Sequence, residues 1–252
     1  MIIVGITAFN GLEFLEKCVA NYESICDKII ICYQDVSHVG ERRKVGDVII
    51  PLFKNHPKVI IDKFVPDKHW NFKRNEMKKH TQMAAVARAE GGTHFILSAV
   101  DHFYESHLIH NVLEKALTYD VSFTKTHQYY KHPTWQITPI VEWYMPFTIK
   151  LYPHTKFTKV AKYPVLVDPA VKINTTGTWH IFNEDELIVH NYSHIRTDIM
   201  EKYKNRYMPM KWSEKQIEKF IKEYENYDIE SNPGIERYKG SKIKIVPNYF
   251  NL

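Results

Sequence analysis

The run THFILSAVDHFY, Thr93 to Tyr104, has an apolar centre and then turns acidic at Asp101, with His102 next in line. A short apolar stretch stopped by a charged group reads as a buried strand. A carboxylate at the C-terminal edge of such a strand, beside a second potential ligand, is where an α/β protein sets a divalent cation and a phosphorylated ligand. Two earlier runs share the pattern. Ile2 to Phe9 is apolar and β-branched and ends on Thr7 and Asn10, and Lys28 to Tyr33 (KIIICY) ends on Gln34-Asp35.

Helical periodicity fills the gaps between these runs. After the Asn10-Gly11 break, Leu12, Leu15, Val19 and Tyr22 recur at helical spacing. Alanines and unbranched side chains favour a helix from about Lys73 to Glu90, which Gly91-Gly92 stops. Leu108, Ile109, Val112, Leu113, Ala116 and Leu117 form a third apolar face. Val48-Ile49-Ile50 and Val59-Ile60-Ile61 read as further strands. Strands alternating with helices predict an α/β fold with a mostly parallel sheet, helices on both faces and ligands outside the C-terminal strand ends. Beyond Pro133 the prolines become frequent and the pattern turns to antiparallel strands and long loops. Helicity returns at Ser213, where Ser213 and Gln216 have capping-box spacing and Ile217, Phe220, Ile221 and Tyr224 share a face.

At 252 residues the chain can hold one large domain or two small ones. Its only cysteines, Cys18, Cys26 and Cys32, have no partners elsewhere for a thiolate cluster, which suits a reduced, cytoplasmic protein. The start MIIVGITAF lacks the basic flank of a signal peptide and reads as a first strand, and no later apolar run has transmembrane length. A net charge of +5 suits an anionic ligand without choosing among nucleotide, nucleic acid and membrane surface.

There is no GxxxxGK[ST] loop, GxSxG elbow, HExxH helix, paired CxxC or GxGxxG. Polar groups at the strand ends instead place Thr7 with Asn10, Asp35, and Asp101 with His102 along one sheet edge. Asp35 can accept hydrogen bonds from a base or ribose, or serve as a turn residue. Arg74 or Lys73 at a helix start can face phosphate oxygens. One carboxylate holds Mg²⁺ or Mn²⁺ poorly, and the segment Ile188 to Ile199, in which Arg196 also lies, offers the imidazoles of His190 and His194 as a second ligand.

These residues resemble the GT-A fold glycosyltransferases, family 2-like, of bacteria and phages. The likeness runs in order through VGITAFNGLEFLEKCVANY, DKIIICYQDVS, KRNEMKKHTQMAAVARAEGGTHFILSAVDHFY, YPVLVDPAVKI and VHNYSHIRTDIMEKY. It implies a nucleotide-sugar-binding half over residues 1–120 and an acceptor-binding half over 121–252, within one continuous unit. In that family an Asp-x-Asp motif, often followed by Glu-Phe-Tyr, ends the strand, and its second Asp binds the metal that bridges the donor diphosphate. Asp101 holds that second position, with Ala99 in place of the first Asp and His102 in place of the Glu.

The resemblance further implies Mn²⁺ or Mg²⁺ on Asp101 and His190, with Thr7, Asn10, Asp35 and Arg74 around the nucleotide of a UDP-sugar. Asp168 or Glu142 would be the base that deprotonates the acceptor hydroxyl in an inverting transfer. The acceptor is a glycan, a lipid-linked sugar or a modified DNA base. The DNA option draws on Lys202, Lys204, Arg206 and Lys211 interleaved with Tyr203, Tyr207 and Trp212. A catalytically degenerate nucleotide- or glycan-binding protein is the competing reading, motivated by Ala99.

Overall fold

The computed structural model describes residues 1–175, 177–197, 199–207 and 212–252, with the side chains of 205–207 outside the description. Its first half is built on β1 (Ile2–Ala8), β2 (Lys28–Tyr33), β3 (Val59–Lys63) and β4 (His94–Ala99). These run side by side in the order β3-β2-β1-β4, every pair parallel. Helices α1 (Leu15–Glu23), α2 (Val45–Phe53) and α3 (Phe72–Ala89) make the crossovers, and α4 (Ser106–Ala116) follows β4. The mostly parallel strands of this half, covered by helices on both faces, are the α/β class that the sequence predicts.

Strand alternation decides which helix covers which face. Val4, Ile6, Ile29, Ile31 and Ile96 pack with Leu15, Val19 and Tyr22 of α1, Val45 and Ile49 of α2, and Ile109 and Val112 of α4. The intervening Ile3, Ile30, Cys32, Phe95 and Leu97 pack with Met83, Ala84 and Ala87 of α3 on the other side. The chain therefore leaves β1 over one face and enters β4 from the other. Strand order reverses between β1 and β4, which opens a crevice at their C-terminal ends.

Val48-Ile49-Ile50 is a correction. It lies in α2, with Val45, Ile49 and Phe53 buried at spacings of four while Val48, Ile50 and Leu52 stay exposed. A short apolar run has no period long enough to separate strand from helix, and packing against the sheet chose the helix.

The second half extends the same sheet. Strands β6 (Val121–Tyr130), β7 (His132–Thr138) and β8 (Val141–Lys150) pair antiparallel, β8 joins β4, and β11 (Lys242–Ile245) closes the far edge. The short β5 (His102–Phe103) pairs with β10 (Ile188–His194), which also lies parallel to β6, as does β9 (Trp179–Ile181). Helices α5 (Ile199–Tyr207) and α6 (Glu214–Glu225) build a third apolar cluster with Tyr130, Ile137 and Ile243. The expected capping box is present on α6, with Ser213 and Gln216 satisfying each other's backbone N–H. All three cysteines are reduced and buried, and no helix among the described residues is long and apolar enough to cross a membrane.

Candidate functional site

A cleft of about 250 Å³ opens where strand order reverses. The ends of β1 and β4 line it with Thr7 to Asn10 and Leu97 to His102. The loop after β2 adds Gln34, Ser37 and His38, and α3 adds Phe72, Glu76, Lys79 and His80. The C-terminal half closes the other side with Asp168, Ala170, Asn191, Ser193, Arg196 and Lys202. Of the residues named from sequence, Thr7, Asn10, Asp101, His102, Asp168, Arg196 and Lys202 line this cleft, whereas Asp35, Lys73, Arg74, Glu142, His190 and His194 do not.

Asp101 is 2 % exposed and accepts hydrogen bonds on Oδ2 from Arg196 Nε, at 3.1 Å, and from Arg196 Nη2. Lys202 Nζ stands 3.7 Å from the same oxygen, and His102 Nε2 lies 3.8 Å from Oδ1. Burial by itself pushes this carboxyl upward. The charges of Arg196, Lys202 and His102 outweigh that and hold it well below the usual carboxylate range. Arg196 follows β10, and Lys202 sits on α5 with its ammonium donating to the Ser193 carbonyl.

The wall formed by α3 is also polar, with Lys79 and His80 buried. Lys79, 7 % exposed, donates to Gln34 Oε1 at 3.2 Å, while the Gln34 amide donates to the Val36 carbonyl at 2.8 Å. Burial lowers Lys79. Burial, with Lys79 adding to it, brings His80 down to about 4 and His38 to about 3, so both imidazoles are neutral at physiological pH. The His80 ring donates from Nδ1 to the Ala170 carbonyl at 2.9 Å. Asp168 caps a 3-10 turn, accepting from Ala170 N–H at 2.8 Å, and pairs with Lys73 Nζ at 2.9 and 3.0 Å from its two oxygens.

Alternation explains the expected residues that lie elsewhere. Ile30, Cys32 and Gln34 share the α3 face, so Asp35 turns toward α2, where it accepts from Gly46 N–H at 3.0 Å and pairs with Lys63 at 2.7 Å. In β10 the side chains of Asn191 and Ser193 face the cleft. His190 and Tyr192 face the opposite core, where His190 Nδ1 shares a hydrogen bond of 2.7 Å with the Tyr129 hydroxyl and Nε2 lies 3.4 Å from Glu105. Arg74 stacks its guanidinium over Trp70, 4.2 Å from the ring centre, and Glu142 is exposed on β8.

The implied metal does not fit this arrangement. Asp101 and His190 face different sides of β10, and the first carboxylate of the expected motif is Ala99. Among the described residues no three His, Cys, Asp or Glu side chains are grouped to hold an ion. The expected basic and aromatic surface also changes character, since Lys202 and Tyr203 are buried and Trp212 packs against Phe220 and Arg237. Lys211 and the side chains of Arg206 and Tyr207 lie outside the described residues.

No family model matches the chain, and no curated protein matches it. Among solved structures it is similar to the crystal structure of S. aureus TarS 1-349, at 9% identity over 89% of this chain and 70% of that one, with a TM-score of 0.48. Against the crystal structure of S. aureus TarS the identity is 9% and the TM-score 0.47, and the chain spans 43% of that longer chain. Mannose-1-phosphate geranyltransferase from Thermus thermophilus overlaps at 10% identity over 91% of this chain and 66% of that one, with a TM-score of 0.34. At such identities and scores these likenesses carry no argument about what the chain does.

Proposed function

We propose that the chain is a glycosyltransferase that binds a nucleotide sugar, of the UDP-sugar type, in the crevice between β1 and β4 and passes the sugar to an acceptor hydroxyl with inversion. One observation carries this reading. The cleft sits at the reversal of strand order, outside the C-terminal ends of parallel strands, and a buried charged cluster closes its inner end. Thr7, Asn10 and Gln34 serve the nucleoside, and the diphosphate lies toward Asp101.

In the transfer the acceptor oxygen bonds to the anomeric carbon while the bond from that carbon to the diphosphate oxygen breaks. The hydroxyl proton goes to a carboxylate, and the nucleoside diphosphate departs with the bonding electrons. Asp168 is the base in this reading, because it lines the cleft and Glu142 does not. The acceptor is a glycan hydroxyl or the hydroxymethyl group of a modified DNA base.

A second reading, a nucleotide or glycan binder without transferase activity, is favoured by the engagement of both Asp168 oxygens with Lys73 and the Ala170 N–H. Turnover of a panel of UDP-sugars, with water or a sugar alcohol as acceptor, separates the two. Asp168→Asn is expected to lower turnover about 10²- to 10⁴-fold while UDP affinity stays within about threefold. Saturable UDP binding without turnover of any donor selects the binder. Unchanged turnover in the variant removes Asp168 from the mechanism.

A further inference from the structure

We propose that Arg196, backed by Lys202, is the built-in counter-charge for the diphosphate of the ligand, standing where the family would hold a divalent cation, so that binding needs no metal. The proposal rests on the nucleotide-sugar reading of the cleft, and three features of the structure lead to it.

The first is the state of Asp101. A hard cation takes several oxygen ligands and needs carboxylate lone pairs turned toward it. Oδ2 of Asp101 is instead taken by two N–H groups of Arg196, with a second cation, Lys202, at 3.7 Å. An incoming Mn²⁺ would find only Oδ1, which His102 Nε2 approaches at 3.8 Å, and would sit beside the positive charges of Arg196 and Lys202. Of the two carboxylate positions in the expected motif, one is Ala99 and the other already has its cation.

The second is the way the fold makes room for the guanidinium. Gly11 has a φ of 72°, in the left-handed region, and a Cβ built there would stand 2.9 Å from Arg196 Cζ and Nε. The turn after β1 therefore needs glycine twice, for its backbone and for the arginine lying against it. The loop after β10 is tied to the same turn, with Thr197 donating to Glu13 Oε1 from its N–H at 3.1 Å and from its hydroxyl at 3.3 Å. Two segments far apart in sequence are thus joined at the point where Arg196 meets the crevice.

The third is the donor capacity of the guanidinium. Arg196 lines the cleft with its side chain 9% exposed, and because Asp101 balances one of the two charges, Arg196 and Lys202 together leave one net positive charge that acts with little screening. A guanidinium carries five N–H donors in a fixed fork, of which Asp101 takes two, and such a fork matches phosphate oxygens. Asp101 is then a positioning residue that aims Arg196 and does not bind the ligand through a metal.

Calorimetric titration of the full chain with UDP and with inorganic pyrophosphate, in EDTA and again in Mn²⁺, tests the assignment. UDP affinity in the two buffers is expected to agree within about threefold, and Arg196→Lys to weaken UDP about tenfold or more in both by losing the fork. Gly11→Ala, which displaces the guanidinium without deleting it, is the second variant and is expected to weaken UDP in EDTA as well, with melting curves establishing that each variant folds. Asp101→Asn, which loosens the aim of Arg196 without removing it, is expected to weaken UDP in EDTA by less than Arg196→Lys does. UDP binding that disappears in EDTA and returns with Mn²⁺ overturns the proposal and leaves the nucleotide reading intact. Pyrophosphate binding in EDTA without UDP binding does the reverse. No binding of either probe in either buffer overturns both.

Discussion

Replacing Lys79 with methionine is expected to stabilise the protein. Lys79 is 7 % exposed, and the hydrogen bond to Gln34 Oε1 at 3.2 Å joins its ammonium to a neutral oxygen, while the charge of Glu76 offsets burial only in part. Holding an ammonium out of water costs several kcal/mol, and a bond between a charged donor and a neutral acceptor returns about 1.5–3 kcal/mol of it. Methionine fills nearly the same length of cleft wall without the charge, at the cost of about 1 kcal/mol for the donor that Gln34 loses. The net gain is about 1–2 kcal/mol, or roughly 2–6 °C in Tm for a chain of this size. The sign has a pH signature. Burial lowers Lys79 in the folded chain, so the unfolded chain keeps that proton to higher pH, and the contribution of Lys79 to wild-type stability rises from the lowered value up to about 10.4. The advantage of Lys79→Met should therefore narrow as pH approaches about 10.4. Urea unfolding of both proteins at neutral pH and near pH 10 measures it. A variant less stable than wild type at neutral pH, or a gap that does not change with pH, would refute the reasoning.

Three other substitutions bear on different layers of the structure. His80, brought down to about 4 by burial, is neutral in the folded chain and protonates near 6.5 when unfolded. Its contribution is present above about 6.5 and lost as pH falls toward 4, by about 3 kcal/mol at full extent, so unfolding curves of His80→Gln should slope less over that window than those of wild type. Tyr22→Phe removes a hydroxyl that shares a buried hydrogen bond of 2.8 Å with Ser98 and should cost about 1 kcal/mol in urea unfolding; a neutral result would show that water replaces it. Ser213→Ala breaks the capping box of α6 and should cost about 1 kcal/mol, read as a loss of helical circular dichroism at lower temperature than in wild type.

Much of the first half was legible because its signals are local. Ile2 to Phe9, Lys28 to Tyr33 and Thr93 to Ala99 carry their own apolar period, and Ser213 with Gln216 carries its own cap. Val48 to Ile50 carried no such evidence, and only packing against Ile31 and its neighbours made it helical. Gln34 was within reach of sequence reasoning. The alternation that buries Ile30 and Cys32 toward α3 sends Gln34 to the crevice and the carboxylate of Asp35 away from it. His190 and Asn191 exchange places for the same reason. Arg196 had no comparable signal, because its partner Asp101 is 95 residues away and nothing in a linear chain announces that pairing. In sequence Lys79 is one of several basic residues in α3, and only its position against the sheet sets it in a buried environment.

The three buried thiols give the parallel half its own clock. Cys18 lies in α1, Cys26 just beyond it and Cys32 in β2, and burial pushes the Cys26 thiol up to about 12 and the other two upward as well. A reagent that attacks thiolates at neutral pH finds none of them until the chain opens. Loosening of α1 uncovers Cys18 and Cys26, while Cys32, packed on the other face of the sheet, waits until α3 lifts. The order in which the three are modified therefore reads out how the parallel half breathes, and any ligand seated in the crevice between β1 and β4 slows the last of them most.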